Sequence, residues 1–539
     1  MKRRNLLASK FIALPLTLAF ANVYAIDLSP VLSANTKAVG FARANSLSPE
    51  LAEIVVARGS TPLENPSAIA SFYGYNNNGP MLPASGALQS ATNDVEASKT
   101  EPDKNTYLVL DSQHGADSTY SYGSHFLFQG HELGIGGYIT RINLDADAAH
   151  RVTLLADKDI NGKALPAFDG STWYPWARRL LFTAEGGANG GVWQGTADFP
   201  SVVEDISGAL GRGGYEGIQA DSFGNLWIVE DVGGTTVAPG GRRPNSYLFR
   251  FVPKNPLDLK MGGKLQVLQV MSQAHVGAIV WNPDAAASIL SQDEKDLHTY
   301  GKTFDTQWLT IHDTDMNGNA PFDSNALARV AGGTPFKRPE NGVFRPGARF
   351  GEFYFTETGD TNANTQAGSA FGGFGGLFKL TQRSPADSHG KLALFYLGDV
   401  AHTGLDNIQF LTDDKMLAVE DAGDSLHIQR NALDSGYMFD ARADYGNAAN
   451  QPVRFLAQGR DASATIDSGL AGSPSFKNDG DNEITGVHVS DGDASPNGIL
   501  GAKKPRPFKD GWHVFYTQQH GDNVTYEIIR SAKHSMNDD

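Results

Sequence analysis

The chain has 539 residues and a formal charge of −16, with 40% hydrophobic and 19% charged residues. That balance excludes a disordered chain or a coiled coil, and the acidic surplus argues against nucleic acid as a partner. No cysteine is present, which removes disulfides, thiol chemistry and thiolate metal ligands together.

At the N-terminus Met1-Lys2-Arg3-Arg4 is basic, Phe11 to Phe20 is largely apolar, and Val23-Tyr24-Ala25 fits a signal-peptidase site. Residues 1–25 therefore read as a signal peptide. The apolar run is too short for a membrane anchor. Arg3-Arg4 with Leu6-Leu7 fits twin-arginine export as well as ordinary secretion, so a periplasmic or secreted protein without a membrane span is expected. Residues 26–105, irregular and rich in Ser, Pro and Gly, read as a loop-rich N-terminal arm packed on a main domain of residues 106–539.

From there a pattern recurs: a short aromatic or aliphatic strand, an acidic or His-containing site, a Gly-rich turn, another strand. Phe126-Leu127-Phe128 leads to His131-Glu132, Leu180-Leu181-Phe182 to Glu185, and Leu226-Trp227-Ile228 to Glu230-Asp231. Trp308-Leu309 leads to His312-Asp313, Phe353-Tyr354-Phe355 to Glu357, Met416-Leu417 to Glu420-Asp421, and Val514-Phe515-Tyr516 to His520. Six or seven units of about 40–50 residues with several strands each predict an all-β chain folded as a β-propeller. A single long β-sandwich is the competing fold. In a propeller, equivalent strand ends meet at one mouth of the central channel, so acids far apart in sequence converge.

Glu132, Glu185, Glu216, Glu340 and Glu483 recur in this way. Gathered in one channel they would repel unless cations neutralised them, and oxygen ligands in that number suit Ca²⁺, Mg²⁺ or a hard trivalent metal. The bland alternative is that each acid caps a turn or pairs with an arginine. Arg338-Pro339-Glu340 could offer a bidentate anion contact or a plain salt bridge. Asp313-Thr314-Asp315-Met316-Asn317-Gly318 matches the opening of a Ca²⁺ loop without its distal glutamate, so structural calcium and an Asx-rich turn both remain open; 478–483 is a similar loop. His520 is a ligand, an acid–base group or a structural histidine. Glu230-Asp231 reads as the repeat's turn, with no catalytic role. GxSxG, P-loop and HExxH motifs are absent, which disfavours serine hydrolases, NTPases and zincins.

Several stretches together resemble the PhoX-type alkaline phosphatases and their relatives of unassigned function. They are Gly130-His131-Glu132, Asp169 to Glu185, Glu216-Gly217-Ile218 to Glu230-Asp231, Arg338-Pro339-Glu340-Asn341-Gly342, Asp406-Asn407-Ile408, Glu483-Ile484-Thr485-Gly486 and Gln519-His520-Gly521. The resemblance implies an exported, calcium-dependent six-bladed propeller whose channel holds Ca²⁺ and ferric iron (Fe³⁺). It implies Glu132, Glu185, Glu216, Glu340 and Glu483 as metal ligands and Arg338 as the phosphate contact. Arg338 and Glu340 are then the catalytic pair, with His520 beside Arg338 in substrate binding.

One departure stands out. Where the phosphatases carry Asn-Cys-Ala-Gly-Gly, with the cysteine on iron, this chain has Phe168-Asp169-Gly170-Ser171-Thr172. Asp169 becomes a candidate metal ligand of hard type, which weakens the case for iron more than for calcium. The expectation is a monomeric phosphatase that hydrolyses small phosphate esters by metal-assisted attack of water in the channel. A Ca²⁺-dependent lactonase or esterase propeller and a non-catalytic calcium-bound binder are the alternatives.

Overall fold

Short runs of aromatic and aliphatic residues, broken by Gly, Asn and Asp turns, form four-stranded antiparallel sheets that succeed one another along the chain. The structure, a computed structural model, describes residues 26–36, 44–74, 100–132, 136–459, 483–519 and 523–532. The expected signal peptide, His520 and residues 478–482 lie outside that set.

The first blade contains Thr106–Val109, His125–Gly130, Ile139–Asn143 and Val152–Ala156. The second contains Ser171–Tyr174, Arg179–Ala184, Gly191–Gly195 and Val203–Asp205. In the third, Tyr215–Ala220, Leu226–Glu230, Leu248–Pro253 and Gly263–Val270 are followed by an extra outer strand, Phe304–Asp313. The fourth has Gly342–Phe344, Glu352–Glu357, Gly376–Thr381 and His389–Leu397; the fifth Leu405–Phe410, Lys415–Glu420, Ser435–Asp440 and Val453–Ala457. The sixth is built from Ile484–Ser490, His513–Gln518 and Val524–Arg530.

The first strand of each blade touches the first strand of the next, and the sixth touches the first. That closed ring of six is a β-propeller with a central channel, and it rules out the single sandwich. The sixth blade takes its fourth strand from the N-terminal segment, where Leu51–Ala57 pairs with Val524–Arg530. Ser46–Leu47 likewise extends the fifth blade along Val453–Ala457. Pairing the early segment with the late one leaves the ring without an open edge at its seam.

Trp308 does not mark a unit of its own. Its strand pairs on one side with Gly263–Val270 and on the other with His389–Leu397, so it welds the outer edges of blades three and four. The third blade's inner hairpin turns at Asp221, whose carboxylate accepts the Phe223 and Asn225 amides at 2.8 and 3.1 Å, with Gly224 at φ +77°. Trp227 Nε1 donates to the same carboxylate at 3.0 Å while its ring packs edge-on against Trp308 and Phe344, both at 5.1 Å. Burying an indole of roughly 150–250 Å² stabilises this seam by about 4–6 kcal/mol before entropy is subtracted.

Candidate metal centre

Acids open the inner strand of every blade. Asp103 and Asp169 precede Thr106 and Ser171, Glu340 precedes Gly342, Glu483 precedes Ile484, and Glu216 and Asp406 are the second residues of their strands. In blades three and five a bulge at this point sets two residues against one, between Tyr215 and Ile218 and between Leu405 and Ile408. A bulge bends the strand and re-aims side chains, here those of Glu216 and Asp406. A second set of acids follows the second strands: Glu132, Glu185, Asp231 and Asp421.

The two sets interleave. Single carboxylate oxygens of Asp103, Glu132 and Asp169 lie within 4.8 Å of one another, as do those of Asp169, Glu185 and Glu216, and those of Glu216, Asp231 and Glu340. Asp169 and Glu216 are each shared, so three triads run in series across the seams of blades one to four. Asp103, Asp169, Glu216 and Glu340 are buried, Glu132 and Asp231 half-buried, and Glu185 exposed at the mouth.

Burial pushes the Asp169 carboxyl well above the usual range, and the charges of Asp103 and Glu132 push it further. The same holds for Glu216, by burial and then Asp169 and Glu340. Glu340 is also raised by burial, although Arg338 pulls it back. Asp169 Oδ1 and Asp231 Oδ1 are buried without a hydrogen-bond partner among the described residues. Raised carboxyls, partnerless oxygens and an all-oxygen donor set fit a hard cation such as Ca²⁺. They do not offer the thiolate that the family's iron site uses.

Arg338 stands at the end of this series. Its Nε donates to Asp231 Oδ2 at 2.8 Å and its Nη2 pairs with Glu340 Oε1 at 3.0 Å. Its backbone is left-handed, at φ +58°, a strain of order 1 kcal/mol or more that clusters at functional sites. Burial opposes its charge, but Asp231 and Glu340 outweigh that and hold the guanidinium protonated. Arg338, Glu185, Asp231, Arg242, Thr361 and Asp421 line a cavity of about 380 Å³ at the mouth.

The other half of the channel is closed by hydrogen bonds. Lys104 Nζ donates to Asn407 Oδ1 at 2.6 Å, and Asn407 Nδ2 to Asp406 at 2.9 Å and to Thr485 Oγ1 at 2.9 Å. Asn105 Nδ2 reaches the Gly486 carbonyl at 2.7 Å, and the Thr485 hydroxyl donates to Asp103. Burial lowers Lys104 to about 8 and raises Asp406 to about 7.

Five expected ligands therefore converge: Glu132, Glu185, Glu216, Glu340 and Asp169, with Arg338 beside them. Glu483 is in none of the triads; its carbonyl accepts the Gln519 amide at 3.1 Å. His520 is not among the described residues, but its neighbour Gln519 donates from Nε2 to Glu132 Oε2 at 2.7 Å. The turn reading of Glu230-Asp231 is half right. Glu230 accepts the Gly214 and Tyr247 amides and Asn325 Nδ2 at 3.4, 3.2 and 2.8 Å, fastening its own blade. Asp231 instead faces the channel and belongs to the site. Glu420 and Asp421 divide in the same way, with Glu420 held by Arg430 at 2.9 Å and Asp421 lining the cavity. Asp103, Asp231, Asp406 and Asp421 are the acids that sequence reading did not assign. The 313–318 segment is an Asx-capped turn: Asp313 accepts the Asp315 amide at 3.0 Å, and Asp315 and Asp313 pair with Lys254 and Lys264 at 2.6 and 3.6 Å.

Residues 237–493 match the family model of alkaline phosphatase PhoX. No curated protein matches the sequence. The structure is similar to that of Pseudomonas fluorescens PhoX in complex with vanadate, a transition state analogue, with a TM-score of 0.52 and 10% identity over 92% of this chain and 98% of that one. The match to a putative 6-phosphogluconolactonase from Bacteroides uniformis covers 80% of this chain and 100% of that one at 10% identity, with a TM-score of only 0.29. The matched segment includes Arg338, Glu340, Asp406, Asp421 and Glu483, whereas Asp103 through Asp231 join the site through the fold alone. Over residues 237–493 in sequence, and across the propeller in fold, the chain resembles the PhoX-type alkaline phosphatases, as its motifs led us to expect.

Proposed function

We propose that the protein is an exported, monomeric metal-dependent phosphatase acting on small phosphate esters at the channel mouth. The observation that carries this reading is Arg338, strained and ion-paired to Asp231 and Glu340, where the series of oxygen triads opens into the cavity. The match of residues 237–493 supports it. Export rests on the composition of residues 1–25. Among the described residues no helix is long and apolar enough to cross a membrane.

Asp103, Glu132, Asp169, Glu185, Glu216, Asp231 and Glu340 would hold the cation or cations, with calcium favoured over iron by Asp169. A bound hard cation would neutralise phosphoryl oxygens and acidify water. Arg338 has five N–H donors; two face Asp231 and Glu340, and the others serve the non-bridging oxygens of the ester. Glu340 keeps that guanidinium charged and oriented, so the positive field is in place before the transition state forms.

Hydrolysis of p-nitrophenyl phosphate in Ca²⁺ tests the reading. Activity should fall by about 10²–10³ in Glu340→Gln and vanish with EGTA. No phosphate release with Ca²⁺, Mg²⁺, Mn²⁺ or iron would sink it, and turnover of a lactone instead would move the protein to that alternative.

A further inference from the structure

A second guanidinium lines the same cavity. Arg242 closes a small hairpin, Thr236–Val237 paired with Gly241–Arg242, inserted between the second and third strands of blade three. The hairpin's backbone is braced on a loop of blade four. The Arg242 amide donates to Asp360 Oδ1 at 2.8 Å, the Gly241 amide to Gln366 Oε1 at 3.0 Å, and Asn362 Nδ2 to the Pro239 carbonyl at 3.2 Å. Asp360 is itself fixed by Thr365 Oγ1 at 2.7 Å and Lys337 Nζ at 3.4 Å.

The side chain is held far less firmly. Arg242 Nε reaches only the Asp360 carbonyl at 3.5 Å, and Nη1 the Gly233 carbonyl at 3.4 Å. Among the described residues no carboxylate lies within ion-pair distance of it, whereas Arg338 is committed to Asp231 and Glu340. A half-buried cation set beside another cation, without a carboxylate in ion-pair reach, is unfavourable until an anion arrives. The braced backbone means that little ordering is lost when one does.

We propose that Arg242 is a second oxyanion contact, and that the tetrahedral phosphoryl dianion of the substrate seats between Arg242 and Arg338. The inference rests on the phosphatase reading and adds a residue to it. Two guanidiniums facing one group favour a dianionic monoester over a monoanionic diester, since the diester has one charge fewer to offer.

The test uses the full-length, Ca²⁺-loaded protein and the variants Arg242→Gln and Arg242→Lys. For Arg242→Gln, KM for p-nitrophenyl phosphate and Ki for inorganic phosphate should both rise by about 10- to 100-fold, with kcat changing less. Calcium content should stay unchanged and Tm should not fall, and Arg242→Lys should recover part of the loss. Unchanged KM and Ki in Arg242→Gln would overturn the proposal while leaving the phosphatase reading intact. If the wild type hydrolyses no phosphate ester, calorimetric titration with inorganic phosphate separates the two ideas. Binding that Arg242→Gln abolishes would keep the anion site without the activity; no binding by the wild type would overturn both.

Discussion

Stripping the protein with EGTA and melting it between about pH 5 and 8 probes the channel acids directly. Asp169, Glu216, Glu340 and Asp406 are raised by burial and by the charges of neighbouring channel carboxylates. A carboxyl raised in the folded state stabilises the fold fully below its unfolded pKa, and that stability is lost as pH rises through the folded value. For Asp406 the rise runs from 3.8 to about 7. At about 1.4 kcal/mol per pKa unit, this one group costs on the order of 4 kcal/mol by pH 7. Lys104, lowered to about 8, begins to titrate at the upper edge of that window and does so with or without calcium. Asp406, outside the triads, tilts both curves alike, as do Glu294 and Asp434, raised to about 7 and about 6 by burial elsewhere in the fold. The informative quantity is therefore the gap in Tm between Ca²⁺ and EGTA. Calcium binds ionised carboxylates, and at a hundredfold excess over its Kd one site adds about 2.7 kcal/mol. The gap should widen steadily with pH. A gap that is constant or shrinks as pH rises would refute the cation cage.

Two further outcomes follow from the same geometry. Glu420→Gln leaves Arg430, which is buried against it at 2.9 Å, short of its main counter-charge; urea denaturation should show a loss of about 3–5 kcal/mol. Asp169→Cys restores a soft ligand where the resembled family has one, so the iron-to-calcium ratio measured by elemental analysis should rise over that of the wild type.

Much of this was legible in the sequence, because the strand-then-acid pattern is local. Six of the seven units marked by an aromatic strand and an acid or histidine are the second strands of real blades. The unit at Trp308 left the count at six or seven, because Phe304–Asp313 carries the same local pattern on an outer edge, and composition does not distinguish inner from outer strands. Asp231 was hidden by its neighbour. Adjacent residues at a strand end point opposite ways, so one member of Glu230-Asp231 had to face the blade and the other the channel, and the alternation could have separated them. Asp406 was signalled by the likeness of Asp406-Asn407-Ile408 to Glu216-Gly217-Ile218, an acid and a small or polar residue before a buried isoleucine. Asp103 had no such signal, since it precedes the first blade in a stretch that reads as irregular arm. Arg242 was beyond reach because its place depends on a hairpin leaning on a loop more than a hundred residues away.

The ring is fastened differently on its two sides. Across blades one to four the inner seams are lined by acid triads that repel until a cation arrives. From blade four round to blade one they are laced by Asn341, Asn407, Thr485, Lys104 and Asn105, which need no ion. The hydrogen-bonded side should therefore hold without an ion, whereas the acidic side depends on one. Withdrawing the metal should loosen the strand heads at Asp169 and Glu216 while those at Asp406 and Ile484 keep their amides protected. Any opening of the ring would then begin at the arc where the proposed site lies.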